Sequence, residues 1–212
     1  DTVSGKHGLL SKDAKYFGDG GHFTAYLDNG TLIVRVQDDA ESATFKMDGI
    51  QSNVDYDLQV VIDTDVVTAM LDGEAFGSAE IDAGWDSNTE HLQVGGNGWA
   101  SGAGESGFSN AFKGTISDVV ITGGPSSYEA VQDYTAGLDE PELVDHFVFA
   151  LGGPVEISGA GDVVQMAHSA ELALDTFTAA LSFTADSVSG LHGLLSKDAK
   201  YFGDGGHFTA YL

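Results

Sequence analysis

A stretch of 27 residues occurs twice in this chain, and it constrains the fold more than any other feature. Residues 1–27 read DTVSGKHGLLSKDAKYFGDGGHFTAYL and residues 186–212 read DSVSGLHGLLSKDAKYFGDGGHFTAYL. The copies differ only at Thr2/Ser187 and Lys6/Leu191, so 25 of 27 positions are identical, which chance does not produce. Their offset of 185 residues far exceeds the roughly 20–50 residues of a solenoid or propeller repeat. A period of that size is a whole domain with its linker. The sequence therefore reads as one period of a tandem array followed by the start of the next.

The boundaries follow from where strand-like sequence stops and resumes. Gly123-Gly124-Pro125-Ser126-Ser127 closes a strand-rich region, and an acidic stretch runs from Tyr128 to Asp145. Strand character returns at His146-Phe147-Val148-Phe149. This predicts that residues 1–124 are the back two-thirds of one module, 125–145 an acidic linker with a short helical turn near Tyr128 to Tyr134, and 146–212 the front third of the next module. A module of about 164 residues and a linker of about 21 account for the period. Steric exclusion adds a constraint, because the two copies prefer the same strand positions and one sandwich offers those positions once. The expected outcome is that 146–212 contacts another chain more than it contacts 1–124. The alternative is a permuted closure built from 1–124 and 146–185, which leaves the second copy unpaired.

Alternation with a period of two dominates the chain. Thr31–Gln37 is a clear strand, joined to His22–Leu27 across Asp28-Asn29-Gly30, where Asn-Gly favours a type I′ hairpin. Further strands are expected at 43–47, 56–63, 66–71, 91–95, 113–122 and 178–184, with a second tight turn at Asp72-Gly73. Helical turns are expected only in the linker and at Ser169-Ala170-Glu171-Leu172. Many short strands between Gly and Asp turns predict an all-β, antiparallel two-sheet sandwich. With 42% hydrophobic residues, the chain can fill such a core.

Charge narrows the partners. Eight Lys and Arg stand against 33 Asp and Glu, a formal net charge of −25. Such a surface repels phosphate backbones, so the sequence predicts no nucleic-acid partner. No apolar run approaches the roughly 20 residues that span a bilayer as a helix. The chain contains no cysteine, which removes disulfides, thiolate catalysis and Cys-ligated metals. Asp outnumbers Glu by 23 to 10, and Asp suits both turns and oxygen-rich calcium shells.

A family resemblance rests on several segments in order along the chain. They are Leu10-Ser11-Lys12-Asp13 through Gly20-Gly21-His22-Phe23, the strand Leu32–Val36, Val94-Gly95-Gly96-Asn97-Gly98-Trp99, and Phe112-Lys113-Gly114-Thr115-Ile116-Ser117-Asp118-Val119. Gly161-Asp162-Val163-Val164, His168–Leu172 and Phe177-Thr178 continue the likeness. Together they resemble the laminin-G-like, concanavalin-A-like jelly rolls of tandem-repeat bacterial surface proteins. The resemblance implies a jelly-roll sandwich, here split across a repeat boundary, in a secreted or cell-surface setting, with roles in adhesion or glycan binding. It also implies a structural calcium at the rim, and the matching positions are Asp118, the loop residues Asp19 and Gly20, and Asp13. Trp85 and Trp99 are the two tryptophans, and they are either sugar-stacking platforms or plugs at the ends of the core.

Catalytic patterns are present only in damaged form. Glu80-Ile81-Asp82-Ala83-Gly84 resembles the Glu-x-Asp-x-Glu strand of glycosidases on similar sandwiches. There, period-two spacing turns the carboxylates into one cleft, with nucleophile and acid/base about 5 Å apart. Gly84 takes the acid/base place here, and Asp86 follows a Gly-Trp turn. Gly102-Ala103-Gly104-Glu105-Ser106-Gly107 has phosphate-loop spelling but no helical pattern after it. Asp63-Thr64-Asp65 and Asp72-Gly73-Glu74 lack EF-hand spacing and read as hairpin turns. The expectation is a non-catalytic structural or adhesive module whose partners are neighbouring copies of itself. A calcium-dependent glycan-binding module and a degenerate glycosidase are the alternatives.

Overall fold

The computed structural model describes residues 6–11, 22–28, 30–37, 42–81, 92–95, 112–137, 146–147, 153–158, 162, 164–166, 169–172, 174–188, 193–197 and 207–211. Its strands are β1 (Lys6–Ser11), β2 (His22–Asp28), β3 (Thr31–Gln37), β4 (Ser42–Asp48), β5 (Asp55–Asp63), β6 (Val66–Leu71), β7 (Glu74–Glu80) and β8 (Leu92–Val94). They continue as β9 (Gly114–Thr122), β10 (His146–Phe147), β11 (Val155–Ile157), β12 (Val164–Met166), β13 (Phe177–Ala185), β14 (Gly193–Lys197) and β15 (His207–Tyr211). Among the described residues one α-helix, α1 (Tyr128–Thr135), lies between β9 and β10, and a 3-10 turn covers Ala170–Leu172.

The chain is mostly β, and its strands form two sheets. One has the order β12-β8-β14-β15-β1-β2-β3-β4, and the other the order β10-β9-β13-β5-β6-β7 with β11 also on β9. Among the described residues the pairings are antiparallel except one between β15 and β2.

Period-two alternation explains the core directly. Along β5, Leu58, Val60 and Ile62 are buried, and along β3 so are Leu32, Val34 and Val36. These residues of the two sheets join one hydrophobic cluster with Ile116 and Ile121 of β9 and Leu181 and Phe183 of β13. Burying such side chains contributes about 1.5–3 kcal/mol each, so this shared interior is what holds the layers together. At one margin Phe45 of β4 lies over β7, where a Cβ on Gly77 would stand 2.3 Å from its ring. No larger residue fits there without displacing the ring.

Turn chemistry sets the registers. The β6–β7 connection is Asp72-Gly73, both at positive φ (51° and 79°), as a type I′ hairpin requires. Thr64 at φ 59° turns β5 into β6, with Asp63 opposite Val66. Asp63-Thr64-Asp65 and Asp72-Gly73-Glu74 are therefore hairpin corners, as their sequence reads. β7 was not expected from the sequence, because Glu-Ala-Phe-Gly-Ser-Ala-Glu has few β-formers. Pairing with β6 makes it a strand nonetheless.

Strands on the two sides of α1 belong to the same sheets. β13 lies between β5 and β9, with Leu181 opposite Leu58 and Phe183 opposite Ile116. β10 and β11 also pair with β9, and β12 pairs with β8. This is the permuted closure with one correction, because the second copy is not left unpaired: β14 and β15 enter the first sheet beside β8 and β1. The reading in which 146–212 leaves the strands of 1–124 and opens a separate sandwich is abandoned.

Candidate functional site

The outer face of the second sheet carries a strip of polar residues beneath α1. Alternation places Asp55, Asp57 and Gln59 of β5 on the side opposite Leu58 and Val60, alongside Thr178, Ser182 and Thr184 of β13. The helix covers the part of this strip around Asp57, Gln59 and Ser182 because its sequence is amphipathic, while Asp55 stays exposed. Val131 is buried against Val120 and Ala180, with Tyr134 packed beside it. Tyr128, Val131, Gln132 and Thr135, spaced as one helical face, line the cleft between helix and sheet. The ends are defined locally. Ser127 caps the first turn by accepting from the Ala130 N–H at 3.1 Å, and Gly137 follows the last turn at φ 67°.

A buried hydrogen-bonded knot fastens the chain entering the helix. The Ser126 N–H donates to Thr178 Oγ1 at 2.8 Å, and Thr178 Oγ1 donates to the Gly124 carbonyl at 3.0 Å. Thr122 Oγ1 donates to the same carbonyl at 2.7 Å and lies 3.1 Å from Ser126 Oγ. Gln59 Nε2 donates to the Ser126 carbonyl at 2.8 Å. Gln59 is 1% exposed, and its Oε1 has no hydrogen-bond partner among the described residues. A buried amide that is half satisfied costs stability, so the knot is held against that penalty by its other bonds.

Asp57 organises the far end of the cleft. Its carboxylate accepts from Tyr128 Oη at 3.1 Å and from Ser182 Oγ at 2.6 Å. Its backbone N–H donates to Asp72 Oδ1 at 2.8 Å, which ties the β6–β7 corner to β5. Burial, followed by the charges of Asp57, Asp72 and Glu129, pushes the Tyr128 phenol up to about 12. Tyr128 also packs on Gly73, where a Cβ would meet its ring at 3.0 Å. The cleft itself has a volume of about 10 Å³, enough for about one water and far below the several hundred Å³ of a sugar site.

Asp118 borders this cleft. Ala180 faces Val120 while Ser182 faces Ser117, so β9 carries an extra residue between them. Asp118 occupies that bulge at φ 52°, exposed, with Oδ2 accepting from Ser117 Oγ at 2.7 Å. Aspartate tolerates this left-handed backbone better than most residues. The other expected calcium positions, Asp13, Asp19 and Gly20, lie outside the described residues, as do Trp85 and Trp99. Among the described residues no three His, Cys, Asp or Glu side chains converge to hold a metal. A calcium shell takes six to eight oxygens, whereas Asp118 by itself offers a single carboxylate.

Glu80, the first carboxylate of the damaged glycosidase pattern, is exposed at the end of β7. Ile81 beside it is buried and donates its N–H to the Asp65 carbonyl at 2.7 Å. Asp82, Gly84 and Asp86 lie outside the described residues, as does the glycine loop 102–107. Asp57, Gln59 and Tyr128 were not singled out in the sequence. The alternation of Asp55, Asp57 and Gln59 showed a polar face, but only the burial of Val131 shows that a helix covers it.

The chain matches no protein-family model, no curated protein and no solved structure.

Proposed function

We propose that this chain is a non-catalytic structural and adhesive repeat module of a secreted or cell-surface bacterial protein, built as a laminin-G-like jelly-roll sandwich closed across its repeat boundary. The observation that carries the reading is the 27-residue repeat with both copies built into one sheet as neighbours. Two mostly antiparallel sheets around one core and a net charge of −25 suit a soluble spacer in a crowded extracellular array. Calcium, in this proposal, binds at Asp118 together with Asp19, Gly20 and Asp13 and pins a loop against β9. Its role is stability rather than chemistry.

A glycan array with and without a chelator, paired with a sugar-release assay on β-glucans, tests the reading. The proposal expects neither saturable glycan binding nor release of sugar. Chelator-sensitive glycan binding would replace it with a lectin-like function through Trp85 and Trp99. Sugar release abolished by Glu80→Gln would replace it with hydrolysis.

A further inference from the structure

The two copies of the repeat divide between them contacts that a single copy could make alone. The first copy supplies β1 and β2, and the second supplies β14 and β15. In the sheet order, β14 takes the place beside β8 and β2 takes the place beside β3. Between them β15 lies against β1, with Leu10 opposite Ala210 and Ser11 opposite Thr209. β15 and β2 also pair in parallel with identical residues in register, His207 with His22 and Ala210 with Ala25. One hairpin has thus been inserted twice into a sheet where one hairpin would bridge β8 to β3.

The two insertions are not held alike. β2 is tied to β3 with Asp28 opposite Thr31, Leu27 opposite Leu32 and Tyr26 opposite Ile33. Among the described residues, the β14–β8 ladder has the one register pair Leu195 with Val94, and β15 is held by two pairs to β1 and two to β2. By contrast β13 is paired along its length on both sides. The chain passes from β13 in one sheet to β14 in the other through residues 186–192. Short ladders at both flanks make β14–β15 an element of low local stability.

We infer that the β14–β15 hairpin exchanges between molecules, one chain's second copy inserting between β8 and β1 of another copy of this chain. The inference deepens the reading as a repeat module and rests on it. The exchanged hairpin makes the contacts it makes in its own chain, which is why such swapping costs little. Its extent is then set by concentration against the effective concentration of the tethered hairpin, on the order of 1 mM. The exchanged fraction is about 1% near 10 µM and about half near 1 mM.

The absence of native cysteine makes the test clean. Full-length chains carrying Leu10→Cys or Ala210→Cys are mixed and oxidised with oxidised glutathione at about 10 µM and about 1 mM. The expected product is a disulfide-linked heterodimer that exceeds both homodimers and rises by more than ten-fold with concentration. A chain carrying both substitutions should close on itself at the lower concentration. If the double variant closes but the mixture gives no heterodimer at the higher concentration, exchange is overturned. Failure of the double variant to close overturns the placement of β15 beside β1, and predominance of 210–210 homodimers overturns insertion in favour of edge association. Should Leu10→Cys prevent folding, Ser11→Cys with Thr209→Cys reads the same register. Glycan binding would sink the structural reading without affecting this outcome, and failed exchange leaves the module reading intact.

Discussion

The two sheets are built by the same alternation of apolar and polar residues, yet they differ in what fixes each strand. In the second sheet, β13 is paired on both flanks, with Ala179 opposite Val60 and opposite Ile121, and its inward side chains are buried in the core. Its outer face is closed as well, by α1 and the knot around Ser126. In the first sheet, the middle is made of two copies of one hairpin, and the second copy is tied in by a few pairs. Every strand position of the second sheet has one candidate occupant. The hairpin position of the first sheet has two. Long-range order therefore comes from unique sequence, and duplication weakens it.

The largest expected effect follows from disrupting the second sheet at β9. A Cβ on Gly114, at φ 144°, would lie 2.0 Å from the Thr184 carbonyl oxygen. Gly114→Ala is expected to destabilise by about 3 kcal/mol or more, and to abolish the cooperative unfolding transition in the extreme. A smaller loss should follow Thr178→Val, which removes the acceptor of the Ser126 N–H and one of the two donors to the Gly124 carbonyl. About 2–3 kcal/mol is expected in a denaturant titration. A loss under 0.5 kcal/mol would show that the outer face is not fastened by the knot.

Tyr128 sharpens the comparison through pH. Its folded-state pKa of about 12 lies above the ordinary value of 10.0, so folding binds the proton more tightly. That contribution is fully present below pH 10 and is lost as pH rises through about 12. Tyr128→Phe should lower stability by about 1 kcal/mol at neutral pH. It should also flatten the decline of stability between pH 10 and 12, and an unchanged decline would locate it elsewhere.

At Asp118 the expected effects are smallest and separate backbone from cation. Asp118→Ala places an alanine in the left-handed bulge and should cost about 1 kcal/mol. Asp118→Asn keeps the backbone preference and should cost a few tenths of a kcal/mol, while removing any rise in Tm caused by millimolar calcium. A calcium-dependent rise in Tm that survives Asp118→Asn would move the cation away from β9.

Much of the fold was legible because alternation is local. Thr31–Gln37 and Val66–Leu71 were located to the residue, and the Asp72-Gly73 corner followed from dipeptide chemistry. The helical turn near Tyr128 was legible from composition, with its cap supplied by Ser127. β7 escaped because Gly77 and two alanines lower its β-propensity, and its strand character comes from β6 and Phe45. The partnership of 146–185 with 1–124 was open in the sequence, since pairing between distant strands leaves no local mark. The polar strip under α1 was hidden for the same reason, because an outward Asp57 looks alike whether it meets water or a tyrosine.

Native-state hydrogen exchange on the full chain tests the permuted closure most directly. The account predicts that Phe177–Ala185 of β13 exchanges as slowly as Asp55–Asp63 of β5 and Gly114–Thr122 of β9, all three opening only with global unfolding. The β14 and β15 amides should exchange much faster. Protection of β5 and β9 with free exchange along β13 would contradict the account, because residues 146–185 would then stand outside the module formed by 1–124.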